Sequence, residues 1–205
     1  MKLFKDRQSA GKLLANRLKD FRADLVLGIP RGGVVVAYEI AKESNLPLDV
    51  LITRKIGAPD QPELALGAID PEGEAVWDQD LLKQFKLKIE NLKLKIDDEI
   101  KEIKRREELY RQGKEFLDID TKTVILVDDG MATGATVLAA LKFLKRHEAK
   151  VILALPVAST EALEKVQNEA SECIVLEVPE YFQSVGQFYY QFEPVEDEEV
   201  IQLLN

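Results

Sequence analysis

The feature that most constrains this sequence is a short apolar run that ends in glycine or acidic residues and leads into a helical pattern. It occurs twice, at residues 25–29 before Pro30-Arg-Gly-Gly33 and at 124–127 before Asp128-Asp129-Gly130. Each unit is followed by another apolar run, at 48–53 and at 151–155. A strand, helix and strand of this length favour a parallel pair joined by a right-handed crossover. The sequence therefore predicts an α/β fold with an open parallel sheet flanked by helices.

Weaker patterns extend this alternation. Helical spacing predicts helices over residues 9–20, with Ser9 as the cap, 136–146 and 160–170, and an apolar run predicts a strand at 173–178. Residues 64–69 and 74–77 are typical of a hairpin. From 78 to 111 the spacing of Phe85, Ile89, Leu92, Ile96 and Ile103, interrupted at Glu99, predicts one long or broken helix. Its apolar stripe could pack on its own domain or form a subunit contact in a homodimer.

Composition sets the class of protein. A chain of 205 residues, 46% of them hydrophobic, can bury one substantial core, so we expect a single domain over 1–205. The formal charge of −9 disfavours nucleic acid and anionic lipid as partners. The lone Cys173 and lone His147 exclude an internal disulfide and a Cys/His metal site, which fits a reducing compartment. With no apolar run near the ~20 residues of a membrane span, we expect a cytoplasmic protein without a membrane partner.

The segment after the second apolar run carries the clearest chemistry. Asp128 and Asp129 end a strand where open α/β sheets place ligand-binding groups, and two adjacent carboxylates need a cation or hydroxyl groups beside them. The small and hydroxyl residues that follow, Ala132-Thr-Gly-Ala-Thr136, can converge backbone N–H groups on one anion at a helix start. Carboxylates beside an anion cradle match a sugar phosphate, and the spacing fits ribose 5-phosphate.

These residues carry a family resemblance. Four apolar residues, Asp-Asp, three variable residues and Thr-Gly-x-Thr resemble the phosphoribosyl-pyrophosphate signature of type I phosphoribosyltransferases. The resemblance implies that Asp128 and Asp129 hold the ribose hydroxyls and position Mg²⁺, with Asp129 also in the catalytic group. It implies that the 5′-phosphate is wrapped by Ala132, Thr133, Gly134, Ala135 and Thr136.

Two further segments fit the resemblance. Arg31, Gly32 and Gly33 resemble the family's pyrophosphate-binding loop, in which glycines admit a ligand and the arginine supplies a cation. Arg54 and Lys55 resemble a pair that neutralises departing pyrophosphate, although two solvated charges at a strand end would look the same. They precede a stretch, 56–63, that is unlikely to form regular structure and whose residues 57–63 could close over the site.

The resemblance leaves the acceptor open. In this family terminal appendages form a hood over the acceptor, which implies a hood from about 1–20 and 179–205 around a core of about 25–178, with 78–112 as a helical insertion. Within the hood, Tyr181 and Phe182 are candidates to face a base, while Trp77 is expected to be a core residue. Ala132 stands where the enzymes for 6-oxopurines have an aspartate. The implied activity is Mg²⁺-dependent transfer of the phosphoribosyl group to a nitrogen acceptor such as a nucleobase; a non-catalytic sensor acting on a protein partner is the alternative.

Overall fold

The computed structural model describes residues 2–59, 61 and 64–205, so part of the predicted closing loop, 57–63, lies outside the described residues. The strands are β1 (Leu25–Gly28), β2 (Leu48–Val50), β3 (Arg54–Gly57), β4 (Ala65–Ile69), β5 (Ala75–Trp77), β6 (Thr123–Val127), β7 (Lys150–Val157) and β8 (Glu172–Glu177). The helices are α1 (Arg7–Leu18), α2 (Gly32–Ser44), α3 (Gln79–Gln84), α4 (Lys93–Arg111), α5 (Ala135–Arg146), α6 (Thr160–Val166) and α7 (Asp197–Leu204).

The central sheet has five parallel strands in the order β2-β1-β6-β7-β8, which confirms the predicted open α/β fold. Strands β1 and β6 lie at its centre, with Val26 opposite Ile125 and Gly28 opposite Val127. All four residues of β1 are buried, and so are seven of the eight in β7. Continuous aliphatic runs of this kind are required because helices cover both faces of a parallel sheet.

Helices α1 and α2 cover one face of this sheet, where Leu14, Val36 and Ile40 pack on Val26 and Ile125. Helices α5 and α6 cover the other, where α5 contributes Leu141 and Leu144. Helix α1 starts at Arg7, two residues before the expected Ser9 cap. Asp6 is the cap: its carboxylate accepts a hydrogen bond from Ser9 N at 2.7 Å, and Ser9 Oγ accepts one from Asp6 N at 3.0 Å. This reciprocal capping explains why Ser9 resembled a helix start.

A second, antiparallel sheet in the order β3-β4-β5 stands beside the first and contains the predicted hairpin. The expectation that the chain is irregular after Lys55 was wrong at its start, because Ile56 and Gly57 belong to β3 (Arg54–Gly57), which pairs with β4. Only Ile56 offered an apolar signal there, and the strand is stabilised by a partner strand 8 to 15 residues further along the chain, which local pattern cannot reveal. The predicted strand at 48–53 ends earlier, at Val50.

The segment from 78 to 111 is a broken helix. Helix α3 ends near Phe85, Lys86 has a positive φ of 53°, and a 3₁₀ turn at Ile89–Leu92 leads into α4. Helix α4 buries Ile103 and Tyr110 in a cluster with the second sheet and α7, so it packs on its own chain. Phe85 and Ile89, predicted in the same stripe, are exposed because the chain leaves the helix between them and α4.

The two ends of the chain meet near the carboxyl edge of the central sheet. Phe4 pairs with Tyr189 as an isolated bridge, and both rings are buried with Phe188. Of the predicted hood segments, residues 3–5 and 188–191 are joined in this way, whereas α1 lies on α2 and the central sheet. No helix among the described residues is both long and apolar enough to cross a bilayer.

Candidate active site

A pocket of about 260 Å³ opens at the carboxyl ends of β1 and β6, the position at which open α/β sheets bind ligands. It brings together four segments that are distant in the sequence: the loop after β1, residues 53–55, the loop between β6 and α5, and Val185. Its lining includes Pro30, Thr53, Lys55, Asp128, Asp129 and most of the predicted phosphate cradle, Ala132, Thr133, Gly134 and Thr136. The sequence-predicted residues after β6 therefore share one cavity.

Asp128 and Asp129 form a partly buried, interacting pair of carboxyl groups. Burial, reinforced by the charge of Asp129, raises the pKa of Asp128 well above its ordinary value of 3.8, although the charge of Lys55 opposes the shift. Burial also raises the pKa of Asp129, while Arg7 acts in the opposite direction. Ionising both groups in this pocket is therefore unfavourable unless a cation is added.

The carboxylate oxygens of Asp128 and Asp129 are suitable ligands for Mg²⁺. Asp128 Oδ1 accepts a hydrogen bond from Asp129 N at 2.8 Å, which orients one carboxylate at the pocket wall. No cluster of three or more His, Cys, Asp or Glu ligands occurs among residues 2–59, 61 and 64–205. Mg²⁺ commonly uses one or two protein carboxylates and completes its shell with waters and substrate phosphate oxygens. The aspartate pair fits that mode, in which substrate supplies most of the ligands.

Arg7 is a site residue that sequence reasoning missed. Its Nε donates a hydrogen bond to Asp129 Oδ2 at 2.7 Å, its Nη1 donates to the Glu193 carbonyl at 2.8 Å, and its guanidinium lies 3.8 Å from the Phe192 ring centroid. The Tyr189 hydroxyl donates to the Asp129 carbonyl at 2.6 Å. Asp129 is thus held by both ends of the chain. No local signal marked Arg7, because its partners lie more than 120 residues away.

The predicted phosphate cradle is the turn that starts α5. Gly134 has φ of +80°, a conformation that favours glycine, and α5 begins at the next residue. Ala132 and Thr133 are exposed at the pocket rim. Ser159 Oγ donates to the Ala132 carbonyl at 2.8 Å and so ties the loop to the start of α6. This geometry leaves the first backbone N–H groups of a 12-residue helix available to an anion.

Glycines allow the predicted pyrophosphate loop to lie against the aspartates. A Cβ on Gly32 would overlap the Asp129 carboxylate, and one on Gly33 would lie 2.8 Å from Asp128 Cα. The Pro30–Arg31 peptide bond in this loop is cis. The Arg31 guanidinium, however, lies 3.3 Å from Glu196 Oε2 and 3.7 Å from Asp197 Oδ1, so it contacts the start of α7. The loop backbone approaches the site, while the Arg31 side chain is engaged elsewhere.

Arg54 and Lys55 diverge because successive side chains of a strand point to opposite faces. Arg54 Nε lies 2.7 Å from Glu99 Oε2 of α4, the residue that interrupts the apolar stripe of that helix. Lys55 lines the pocket that contains the aspartates, and within the described part of the chain no carboxylate forms an ion pair with it. Of the predicted pair, only Lys55 faces the candidate site in this arrangement.

A larger cavity of about 640 Å³ adjoins the first and shares Lys55, Ala132, Thr133 and Gly134 with it. Its other walls come from the second sheet, α3 and the α5–α6 pair, including Val76, Trp77, Leu81, Leu138 and Lys165. The predicted base-facing residues lie elsewhere: Tyr181 is 81% exposed, and the Phe182 ring packs 5.0 Å from that of Phe188. Trp77 is partly buried against the core, and its register partner is Gly67.

A family model described as the phosphoribosyl transferase domain matches residues 5–193, which includes every segment of the site. The chain belongs to the type I phosphoribosyltransferase family. Two relatives from strains of Mycobacterium tuberculosis, provisionally named phosphoribosyl transferases, are 41% identical over 208 residues. The match covers 100% of this chain and 47% of each relative, so the chain spans about half the length of these curated relatives.

Two solved structures share the fold of this chain. A protein from Thermus thermophilus, 40% identical, superposes with a TM-score of 0.82 over 100% of this chain and 98% of its own. A purine phosphoribosyltransferase from Pyrococcus horikoshii has a TM-score of 0.51 over 93% of this chain and 92% of its own, at 16% identity. The second likeness supports the fold of this phosphoribosyltransferase-family protein and carries no information on its acceptor.

Proposed function

We propose that this protein binds 5-phosphoribosyl-1-pyrophosphate together with Mg²⁺ and transfers the phosphoribosyl group to a nitrogen acceptor, most simply a nucleobase, with release of pyrophosphate. The observation that carries the proposal is one pocket in which a partly buried aspartate pair adjoins a helix-start anion cradle. A sugar phosphate satisfies both: its hydroxyl groups donate to carboxylates, and its phosphate accepts from backbone N–H groups. A family model matching residues 5–193 supports a transferase that uses such a donor.

In the proposed reaction, the acceptor nitrogen forms a bond to C1 of the ribose as the bond from C1 to pyrophosphate breaks. Asp128 and Asp129 hold the ribose hydroxyls, and the cradle from Ala132 to Thr136 fixes the 5′-phosphate, so the sugar is held at both ends. Positive charge that develops on the sugar is stabilised by the aspartate pair. When bound, Mg²⁺ neutralises part of the diphosphate charge and so assists its departure.

The leaving group requires cations from the protein. Lys55 already faces the aspartates, so it is the first candidate to contact the diphosphate. Arg31 and Arg54 can contribute only after they leave Glu196 and Glu99, their partners at 3.3 Å and 2.7 Å. Both ion pairs are partly exposed, and such pairs contribute only about 0–1 kcal/mol, so a diphosphate can compete for these arginines.

Binding is tested by calorimetric titration of the protein with phosphoribosyl pyrophosphate, with and without Mg²⁺. The Asp128→Asn/Asp129→Asn double variant is measured beside the wild type, and Asp118→Asn, at an exposed position, is the matched control. We expect Mg²⁺-dependent binding that the double variant loses and the control keeps. Absence of binding at millimolar ligand would refute the proposal and leave the family assignment alone.

Turnover is tested separately by pyrophosphate release with adenine, guanine, hypoxanthine, xanthine, uracil and orotate. Release with one base identifies the acceptor. The alternative function is a non-catalytic sensor of the same ligand, and one observation favours it: two of the three cations assigned to the leaving group are paired with protein carboxylates. Binding without release of pyrophosphate from any acceptor, water included, would support the sensor.

A further inference from the structure

Thr53 has a buried hydroxyl group without a hydrogen-bond partner among the described residues. The residue is only 6% exposed, and it lines the same pocket as Asp128 and Asp129. A buried hydroxyl without a partner costs about 1–3 kcal/mol. Within the described ranges Thr53 is the one buried side chain in this condition, so its hydroxyl calls for an explanation.

Packing does not explain the hydroxyl. Thr53 follows Leu51 and Ile52, both fully buried, in a stretch where valine would have the same shape and no unsatisfied group. Thr53 lies two residues before Lys55, and both residues line the pocket. Thr53 is therefore part of the pocket wall, with its hydroxyl group buried and without a partner among the described residues.

The sheet order shows which end of a ligand Thr53 would meet. The cradle from 132 to 136 follows β6, whereas Thr53 follows β2, on the far side of β1 and its Pro30–Gly33 loop. With the 5′-phosphate in the cradle and the ribose on the aspartates, the diphosphate extends toward the Pro30–Gly33 loop and Lys55. We propose that Thr53 Oγ donates a hydrogen bond to the diphosphate of phosphoribosyl pyrophosphate and to released pyrophosphate, an inference that rests on the proposed function.

The test compares Thr53→Val, which removes only the hydroxyl, with Thr53→Ser, which keeps it. Dissociation constants are measured in Mg²⁺ for phosphoribosyl pyrophosphate, for inorganic pyrophosphate and for ribose 5-phosphate. For Thr53→Val we expect about tenfold weaker binding of the first two ligands, the loss typical of one hydrogen bond to a charged group. Binding of ribose 5-phosphate should change less than about twofold, and Thr53→Ser should resemble the wild type.

A folding measurement separates this role from a structural one. Because valine removes an unpartnered group, Thr53→Val should unfold at the same or a higher denaturant concentration than the wild type. Easier unfolding, or equal weakening of all three ligands, would indicate a structural role and overturn the inference. Unchanged pyrophosphate binding in Thr53→Val would overturn it while leaving the proposed function intact. If the wild type binds none of the three ligands, the proposed function fails first and the inference fails with it.

Discussion

At the scale of single residues, the aspartate pair is expected to lower the stability of the folded chain. Asp128 and Asp129 adjoin one another at a pocket where both are partly buried, and burial raises the pKa of each. A group that resists ionisation in the folded chain, but not in the unfolded chain, lowers the free energy of unfolding at neutral pH. Removing one of the charges should therefore stabilise the protein even as it impairs ligand binding.

We expect Asp128→Asn to raise the free energy of unfolding at pH 8 by about 0.5–2 kcal/mol. The asparagine can still accept the hydrogen bond from Asp129 N, so only the charge is lost. Because the folded-state pKa of Asp128 is raised, the contribution of this residue to stability is most favourable below pH 3.8. That contribution is lost as the pH rises through the folded-state pKa. The gain should shrink between pH 8 and pH 5. Denaturant titrations at the two pH values measure it, and a loss of stability at pH 8 would contradict the argument.

Removing Arg7 should have the opposite effect on stability from removing the Asp128 charge. Replacing it by methionine leaves the partly buried Asp129 carboxylate without its cation, and we expect a loss of roughly 3 kcal/mol at pH 8. Since Arg7 holds the pKa of Asp129 down, its removal raises that pKa further, and the loss should diminish at pH 5 as the carboxyl group takes up a proton. Arg17→Met, on the same helix and exposed, is the matched control. Equal losses for the two variants would show that Arg7 matters only as part of α1.

The sequence predicted the part of the candidate site that lies within one short segment of the chain. Asp128, Asp129 and the cradle lie within one nine-residue motif, so their chemistry and spacing could be read directly. Arg7, Tyr189 and Thr53 could not be found, because their relation to the aspartates arises only from tertiary contacts. The divergence of Arg54 and Lys55 depends on β3, and β3 depends on pairing with β4.

At the scale of elements, helix α4 contacts both the central sheet and the second sheet. At its last turn Arg111 Nε lies 3.1 Å from Asp49 Oδ1, and Arg111 Nη2 donates to the Val50 carbonyl at 2.9 Å. The Asp49 carboxylate also accepts from Leu117 N at 3.0 Å. Near its first turns, Glu99 of the same helix contacts Arg54 of β3. One helix thus connects the edge strand β2 with the strand that carries Lys55.

Arg111→Met should destabilise the protein by about 3–5 kcal/mol, since it leaves Asp49 buried and without its cation. Arg105→Met is a control on the same helix: its partner Glu102 lies one exposed turn away, so the loss should be much smaller than for Arg111→Met. Chemical denaturation of both variants compares the two arginines. Similar losses would mean that helix propensity, and not the contact with β2, governs the effect.

The elements themselves were largely predictable. Periodicity found the central strands and the helices between them, because aliphatic runs buried on both faces leave a strong local pattern. It placed the break within 78–111 less well, because the positive φ of Lys86 is not marked by glycine or proline. Strand β3 has a single buried aliphatic side chain and gave no comparable pattern.

At the scale of the whole molecule, ligand binding should be visible as added stability. Phosphoribosyl pyrophosphate at about 100 times its dissociation constant adds about 2.7 kcal/mol, which raises Tm by roughly 5–10 °C in a chain of this size. We expect this rise only with Mg²⁺ present, because the cation offsets the charge of the buried aspartates. Thermal unfolding with ligand, with Mg²⁺ and with both measures the effect. An equal rise with ligand alone would contradict a role for the cation.

The pairing of β1 with β6 also bears on how the chain folds as it is synthesised. Asp24 and Thr123, which border these central strands, are 99 residues apart and are joined by a hydrogen bond from Thr123 N to the Asp24 carboxylate. During synthesis, before the residues of β6 have been made, β1 can pair with β2 but its other edge has no partner. Contacts of such sequence separation slow folding and leave strand edges open to aggregation until the ribosome supplies the partner. The predicted phosphate cradle follows β6 directly, so the strand that pairs with β1 also brings the cradle into the pocket.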